Sequence, residues 1–434
     1  MILISQPPKT GLRGEFSPPG DKSMSHRALI FSSLAEGCSE LSGLLESEDT
    51  LATLKACEQL GALVERKDGK VLVTGTAGEL RLSNDGELEM GNSGTAMRLL
   101  AGVLAGQPFA SRLSGDASLN GRPMGRIVEP LRQMGAIVQP TETGTAPLNI
   151  SPSAGGLQGI DYVSPVASAQ IKSCVLLAGL FASGTTSVTE PRLSRDHTER
   201  MLPCFGVVLP NACSVTGGSR LKATNFEVPA DISSAVFSLG AAALVADSEI
   251  RLTQVGLNPT RDGFVHCLRD MGADVEVKNS FEDAAEPTGD IHLRFNGRLS
   301  AIDVPVERVP DMIDELPLLM ALAATASGIT RIRGAAELRV KESDRIAVMA
   351  AGLQKLGVTV SEYPDGIDIT GGDVCGGEVE SAGDHRCAMS FAVLGLVASS
   401  AIRIRSAEYI ATSYPGFVDD MNGLGAGLRK EEQA

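Results

Sequence analysis

Leu131-Arg132-Gln133-Met134-Gly135-Ala136 closes a run in which Ile127, Leu131 and Met134 fall on one face at helical spacing. Gly135 follows the last apolar residue, where a helix C-terminus favours a left-handed backbone. The β-branched pair Ile137-Val138 then opens a strand. The same phrase returns as Leu54-Lys55-Ala56-Cys57-Glu58-Gln59-Leu60-Gly61-Ala62, Leu268-Arg269-Asp270-Met271-Gly272-Ala273 and Leu353-Gln354-Lys355-Leu356-Gly357-Val358. Two weaker copies end at Gly206 and Gly425, and Pro203 inside the Gly206 copy argues against a regular last turn there. The glycines at 61, 135, 206, 272, 357 and 425 are separated by 66 to 85 residues. A unit of that length holds a helix and several strands, and six units fill the chain. The reading is therefore a mixed α/β protein of two three-unit domains. One break is expected at Phe226-Glu227-Val228-Pro229-Ala230-Asp231 and a second hinge at Pro18-Pro19-Gly20.

Composition narrows the function. The 434 residues are 43% hydrophobic and 21% charged, an ordinary globular balance. A formal charge of −15, 4% aromatics and no Trp argue against nucleic-acid binding, which draws on basic grooves and stacking platforms. They leave room for a local basic cleft. Residues 1–10 carry neither a basic n-region nor a long apolar h-region, so no signal peptide is read. The apolar stretch 387–402 is broken by Ser390, Ser399 and Ser400 and reads as a buried helix rather than a membrane span. Eight cysteines without a C-x-x-C pattern suggest reduced thiols. A cytoplasmic protein is expected, and no metal is: there are five histidines, no H-E-x-x-H and no clustered Cys. No G-x-S-x-G elbow is present either.

Cations stand near predicted helix starts, where acids are usually preferred. Arg122 and Arg126 precede the run ending at Gly135, Arg195 the one at Gly206, Arg261 the one at Gly272, and Lys341 and Arg345 the one at Gly357. A helix N-terminus joined by a cation makes a strong anion site. The bland alternative is surface charge paired with Asp196, Asp262, Glu342 and Asp344. In Pro19-Gly20-Asp21-Lys22-Ser23-Met24-Ser25-His26-Arg27, the serines and backbone N–H groups can hold an anion that Lys22 and Arg27 neutralise, without the spacing of a nucleotide P-loop. Gly91-Asn92-Ser93-Gly94-Thr95-Ala96-Met97-Arg98 runs a turn into a helix, and Gly94 would let a ligand approach the backbone. Ser168-Ala169-Gln170-Ile171-Lys172-Ser173 places hydroxyl and amide groups at another helix start. Asp314, in Asp311-Met312-Ile313-Asp314-Glu315-Leu316-Pro317, is open between helix cap and general base. Residues 339–345 alternate in charge and read by default as a salt-bridged, solvated face. Asp384-His385-Arg386 adds a further cation before a helix.

Together these phrases resemble the EPSP synthase family. The matching stretches are PGDKSMSHR at 19–27, GNSGTAMR at 91–98, LNGRPM at 119–124, SAQIKS at 168–173 and SRDHTERM at 194–201. PDMIDELP at 310–317, ELRVKESDR at 337–345, DHRCAMSF at 384–391 and IATSYPGF at 410–417 continue them in family order. SAQIKS and IATSYPGF are similar to the bacterial class II branch. The resemblance implies an inside-out α/β barrel fold of two domains, each of three βαβαββ repeats. One domain would be residues 21–228 and the other 1–20 with 229–434, with the active site in the cleft between them. It implies transfer of the enolpyruvyl group of phosphoenolpyruvate to the 5-hydroxyl of shikimate 3-phosphate, with no cofactor, by a monomer.

By the same resemblance Ser23, Arg27, Ser168, Gln170 and Arg195 would hold shikimate 3-phosphate. Gly94, Arg122, Arg345 and Arg386 would hold phosphoenolpyruvate, with Lys341 beside them in the second domain, and Lys22 would touch both substrates. Asp314 would take the hydroxyl proton. Lys22, Glu342 and His385 are the candidates for protonating the methylene carbon and for the later elimination. Two positions depart from common relatives: Thr412 stands where many have Lys, and Leu99 where many have Pro. Gly94 keeps the small residue that admits glyphosate in sensitive relatives. The sister enzyme acting on UDP-N-acetylglucosamine carries a reactive Cys in the loop matching residues 114–124, and this loop, SGDASLNGRPM, has none. A non-catalytic anion binder on the same fold would be expected to have lost the acids, whereas Asp314 and Glu342 are present.

Overall fold

A computed structural model describes residues 1–83, 86–282 and 285–431. Its chain separates into two units, one of Met1–Pro19, Pro229–Asp283 and Pro287–Ala434, the other of Gly20–Val228 with a short piece that includes Glu286. Each has its own apolar core.

The repeat is visible in the sheets. In the Gly20–Val228 unit, Asn225–Glu227 runs parallel to Cys38–Ser42, which pairs antiparallel with Lys70–Thr74 and through it with Leu63–Lys67. The next repeat follows the same plan: Glu87–Glu89 is parallel to Ser111–Ser114, and Leu148–Ser151 and Ile137–Gln139 complete the antiparallel part. In the third, Asp161–Val163 is parallel to Thr185–Thr189, and Ser214–Thr216 is antiparallel to it. The other unit repeats the plan, with Arg13–Phe16 parallel to Glu249–Gly256 and Gly377–Glu380 parallel to Ile402–Arg405. The N-terminal strand Ile2–Ser5 joins the latter sheet.

Each repeat also carries two kinds of helix. The outer kind is the one read from the sequence: Glu48–Gln59, Gly125–Gln133, His197–Cys204, Gly263–Asp270, Arg345–Lys355 and Phe417–Gly423. All six are followed by the expected glycine, at 61, 135, 206, 272, 357 and 425, with φ between 79° and 103°. That left-handed backbone is one L side chains rarely adopt. Pro203 lies inside the helix His197–Cys204, whose last turn forms without that N–H donor. The inner kind is buried on every side, which explains its near-continuous apolar sequence. All eight residues of Leu316–Ala323 and all eleven of His385–Gly395 are buried. Lys22–Leu34, Gly94–Ala105, Ala169–Gly179 and Ile232–Leu244 are the corresponding helices of the other repeats. Lys22, Ser23, Gly94, Ser168, Gln170 and Arg386 lie at the N-termini of inner helices, whereas Arg122, Arg195, Lys341, Glu342 and Arg345 lie at or just before the starts of outer ones. No helix among the described residues is long and apolar enough to cross a membrane.

Candidate active site

In the Gly20–Val228 unit, Asp21 caps the first inner helix by accepting a hydrogen bond from Met24 N at 2.8 Å. Lys22 follows, its Nζ 3.1 Å from Asp49 Oδ2, and Ser23 stands half-buried beside it. Arg27, one turn on, is 2% exposed. Its Nε donates to Thr198 Oγ1 at 2.7 Å, Nη1 to Ser23 O at 2.9 Å and Nη2 to Ser173 Oγ at 2.6 Å. Burial pulls Arg27 down to about 10, so it remains a cation at neutral pH. The adjacent His26 is fully buried against Thr53 Oγ1 at 2.7 Å. Burial, reinforced by Lys22 and Arg27, lowers it to about 3 and keeps it neutral.

Gly94 opens the second inner helix, behind the N-cap Ser93. A Cβ at Gly94 would lie 2.8 Å from Arg98 Nη1 and 3.1 Å from Arg122 Nη1, so two guanidinium groups converge on its backbone. Arg122 also donates to Asn92 Oδ1. Arg98 Nη1 donates to Gln170 Oε1 at 2.8 Å, and Gln170 Nε2 donates to Thr95 Oγ1 at 3.0 Å. Ser168 caps the third inner helix by accepting from Ile171 N. Arg195 lies half-buried just before the helix His197–Cys204. Arg27 and Gln170 thus link the starts of four helices, and cations, hydroxyls and amides gather where N–H groups are unsatisfied. Such a set binds oxyanions.

The other unit is built differently. Asp314 is not a helix cap: Glu315 occupies the N-cap of Leu316–Ala323, without a side-chain cap bond. Asp314 Oδ1 instead accepts from Arg345 Nη1 at 3.1 Å and lies 3.8 Å from Lys341 Nζ, while Oδ2 is 3.9 Å from Arg386 Nη2. Arg345 also reaches Glu342 at 2.5 Å and Asp384 at 2.8 Å. Burial works against its charge, but the carboxylates of Asp384, Glu342 and Asp314 outweigh this and hold Arg345 well above its ordinary value. Arg386 Nη1 donates to the Asp314 carbonyl at 3.0 Å and approaches Glu315 Oε1 at 3.4 Å. His385 Nδ1 is 3.4 Å from Thr412 Oγ1, so a neutral hydroxyl lies beside the imidazole.

The solvated face expected at residues 339–345 is corrected at Arg345, which is 1% exposed. Tertiary packing places it against Asp314 and Asp384, both remote in sequence, so local alternation of charge was a poor guide. Arg339 does follow the surface reading, pairing with Asp344 and Glu362. Lys22, Ser23, Arg27, Gly94, Arg122, Ser168, Gln170 and Arg195 all lie in one unit, and Asp314, Lys341, Glu342, Arg345 and Arg386 in the other. Sequence reasoning missed Arg98, Ser173, Thr198 and Asp384. Arg98 and Ser173 sit in quoted motifs one turn beyond the residues singled out. Asp384 carries the ordinary signal of an N-cap, accepting from Arg386 N at 2.9 Å, while its other oxygen meets Arg345.

The family model for EPSP synthase (3-phosphoshikimate 1-carboxyvinyltransferase) matches residues 7–421. A 3-phosphoshikimate 1-carboxyvinyltransferase of Xanthomonas oryzae pv. oryzae (strain PXO99A) is 50% identical over 427 residues, covering 98% of this chain and 97% of its own. One from Xanthomonas axonopodis pv. citri (strain 306) is 50% identical over 423 residues, 96% of each chain. A solved structure of EPSP synthase from Acinetobacter baumannii superposes with a TM-score of 0.88 at 47% identity, covering all of both chains.

Proposed function

Since the chain belongs to the EPSP synthase family, we propose that it joins phosphoenolpyruvate to the 5-hydroxyl of shikimate 3-phosphate, releasing phosphate and forming 5-enolpyruvylshikimate 3-phosphate. The observation that carries this reading is the setting of Asp314, a carboxylate freed from helix capping and aimed among Lys341, Arg345 and Arg386.

The reaction needs two anions bound and protons moved between carbon and oxygen. Ser23, Arg27, Ser168, Gln170 and Arg195 hold shikimate 3-phosphate: hydroxyl, amide and guanidinium groups suit a phosphate monoester and ring hydroxyls. Gly94, Arg122, Arg345 and Arg386 hold phosphoenolpyruvate, and Lys22 serves both substrates. Asp314 accepts the proton of the 5-hydroxyl as its oxygen attacks C2 of phosphoenolpyruvate. A proton delivered to C3 by Lys22 or Glu342 completes a tetrahedral intermediate, with His385 as the third candidate donor. Loss of a C3 proton then expels phosphate and leaves the enolpyruvyl ether. Fixed cations around Asp314 stabilise the developing charge without reorganising. The enzyme acts on small molecules, and we place it in the cytoplasm as a monomer, which sedimentation of the purified protein tests.

The deciding assay is phosphate release from phosphoenolpyruvate with and without shikimate 3-phosphate, for wild type and Asp314→Ala. Release that requires both substrates and collapses in the variant is expected. No release from folded wild type would leave an anion binder without chemistry.

A further inference from the structure

Lys172 lies in the inner helix Ala169–Gly179 and its side chain has no exposed surface. Its ammonium is 3.0 Å from Glu190 Oε2, 2.8 Å from Glu199 Oε1 and 3.3 Å from the Ser194 carbonyl. Three acceptors match its three N–H donors. Glu190, whose side chain is 5% exposed, follows the strand Thr185–Thr189. Its Oε1 accepts from Ser168 N at 2.7 Å. Both of its oxygens are 2.8 Å from Ser194 Oγ, and Oε2 also accepts from Ser194 N at 3.2 Å. Ser194 is therefore gripped at its N–H and O–H by Glu190 and at its carbonyl by Lys172.

A buried ion pair is poor evidence of added stability, because apolar groups of similar volume often do as well. What these charges provide is direction. Glu190 joins the N-cap of one helix to the residue preceding Arg195, across 26 positions of sequence. We propose that Glu190, held by Lys172, is a positioning residue that sets the spacing between the Ser168–Gln170 turn and Arg195, so that shikimate 3-phosphate meets preformed partners. This rests on the substrate assignment above. It adds residues that touch no substrate and act through those that do. Ordering two segments before binding removes that cost from the binding step.

The test is steady-state kinetics with each substrate varied separately, together with thermal melts, for wild type, Glu190→Ala, Glu190→Gln and Ser194→Ala. Glu190→Ala is expected to raise KM for shikimate 3-phosphate about tenfold, with kcat and the KM for phosphoenolpyruvate within about twofold. Glu190→Gln keeps an acceptor for Ser168 N and is expected between wild type and the alanine variant. Ser194→Ala removes only a hydroxyl and is expected to raise the same KM about threefold. Unchanged KM for shikimate 3-phosphate in folded Glu190→Ala, or equal rises for both substrates, overturns the proposal. If Glu190→Ala does not fold, the other two variants decide, and wild-type KM values in both overturn it. Wild-type protein inactive on both substrates together would instead sink the functional reading.

Discussion

The two units meet the problem of anionic substrates with opposite chemistry. In the Gly20–Val228 unit, the buried Arg27 donates to two hydroxyls and a carbonyl, and Arg98 to an amide. These neutral partners orient the two guanidinium groups. In the other unit, Arg345 touches three carboxylates and Arg386 approaches two. Neutral partners of this kind orient the buried Arg27 and leave its positive charge to act on an anion. In the second, carboxylates packed around Arg345 fix the cations and the acids against one another.

That contrast can be broken most severely at Asp314. Asp314→Ala should lower kcat by about 10²- to 10⁴-fold, with a much smaller change in KM for shikimate 3-phosphate, read by phosphate release. If KM rises instead and kcat survives, Asp314 is a binding residue and the two units are alike. Next in size is Arg27→Lys, which keeps the charge but loses the planar fork that serves Thr198, Ser23 and Ser173. A rise of about tenfold or more in KM for shikimate 3-phosphate is expected, with KM for phosphoenolpyruvate nearly unchanged.

Burial at the start of the first unit's leading inner helix should also appear in the response to acid. His26 has a folded value of about 3 against an ordinary 6.5. The unfolded chain therefore takes up the proton first as pH falls. The contribution is fully present above about 6.5 and is lost as pH falls toward 3, at about 1.4 kcal/mol per pH unit. Urea melts from pH 7 to pH 4 should show a shallower decline for His26→Gln than for wild type, and parallel declines would remove His26 as the cause. The smallest effect is expected at Gly94→Ala, whose methyl would press the ends of Arg98 and Arg122. These are flexible side chains, so KM for phosphoenolpyruvate should rise only several-fold, as the two shift by a few tenths of an ångström. Glyphosate should compete with phosphoenolpyruvate in wild type and less well in this variant. Inhibition without competition would remove Gly94 from the phosphoenolpyruvate assignment.

Much of the fold could be read before any coordinates, and for a local reason. Each of the six glycines sits where a helix must end in a left-handed turn, and helix, turn and next strand are neighbours in sequence. The inner helices were harder. Being buried on all sides they lack an amphipathic stripe, and their polar first turns, such as Lys22-Ser23 and Ala169-Gln170, do not stand out from a preceding loop. Polar residues such as Lys172 and Ser173 looked like flanks but lie inside the coil. Candidate ligands in the quoted motifs were legible because hydroxyls, amides and cations at helix starts have an ordinary physical meaning. The partners that orient them were not, since Thr198 and Asp384 lie many residues from Arg27 and Arg345.

The repeat, the mixed α/β class and the kinds of chemistry on offer follow from short-range periodicity, turn stereochemistry and residue type, all of them local to the chain. Which charges meet a counter-charge follows from packing between segments remote in sequence. Arg345 reads as solvated and is buried against Asp314 and Asp384, whereas Arg27 is buried among neutral oxygens. That distinction depends on which segments pack together, and coulombic and desolvation energies depend on distances between atoms, not on positions along a chain.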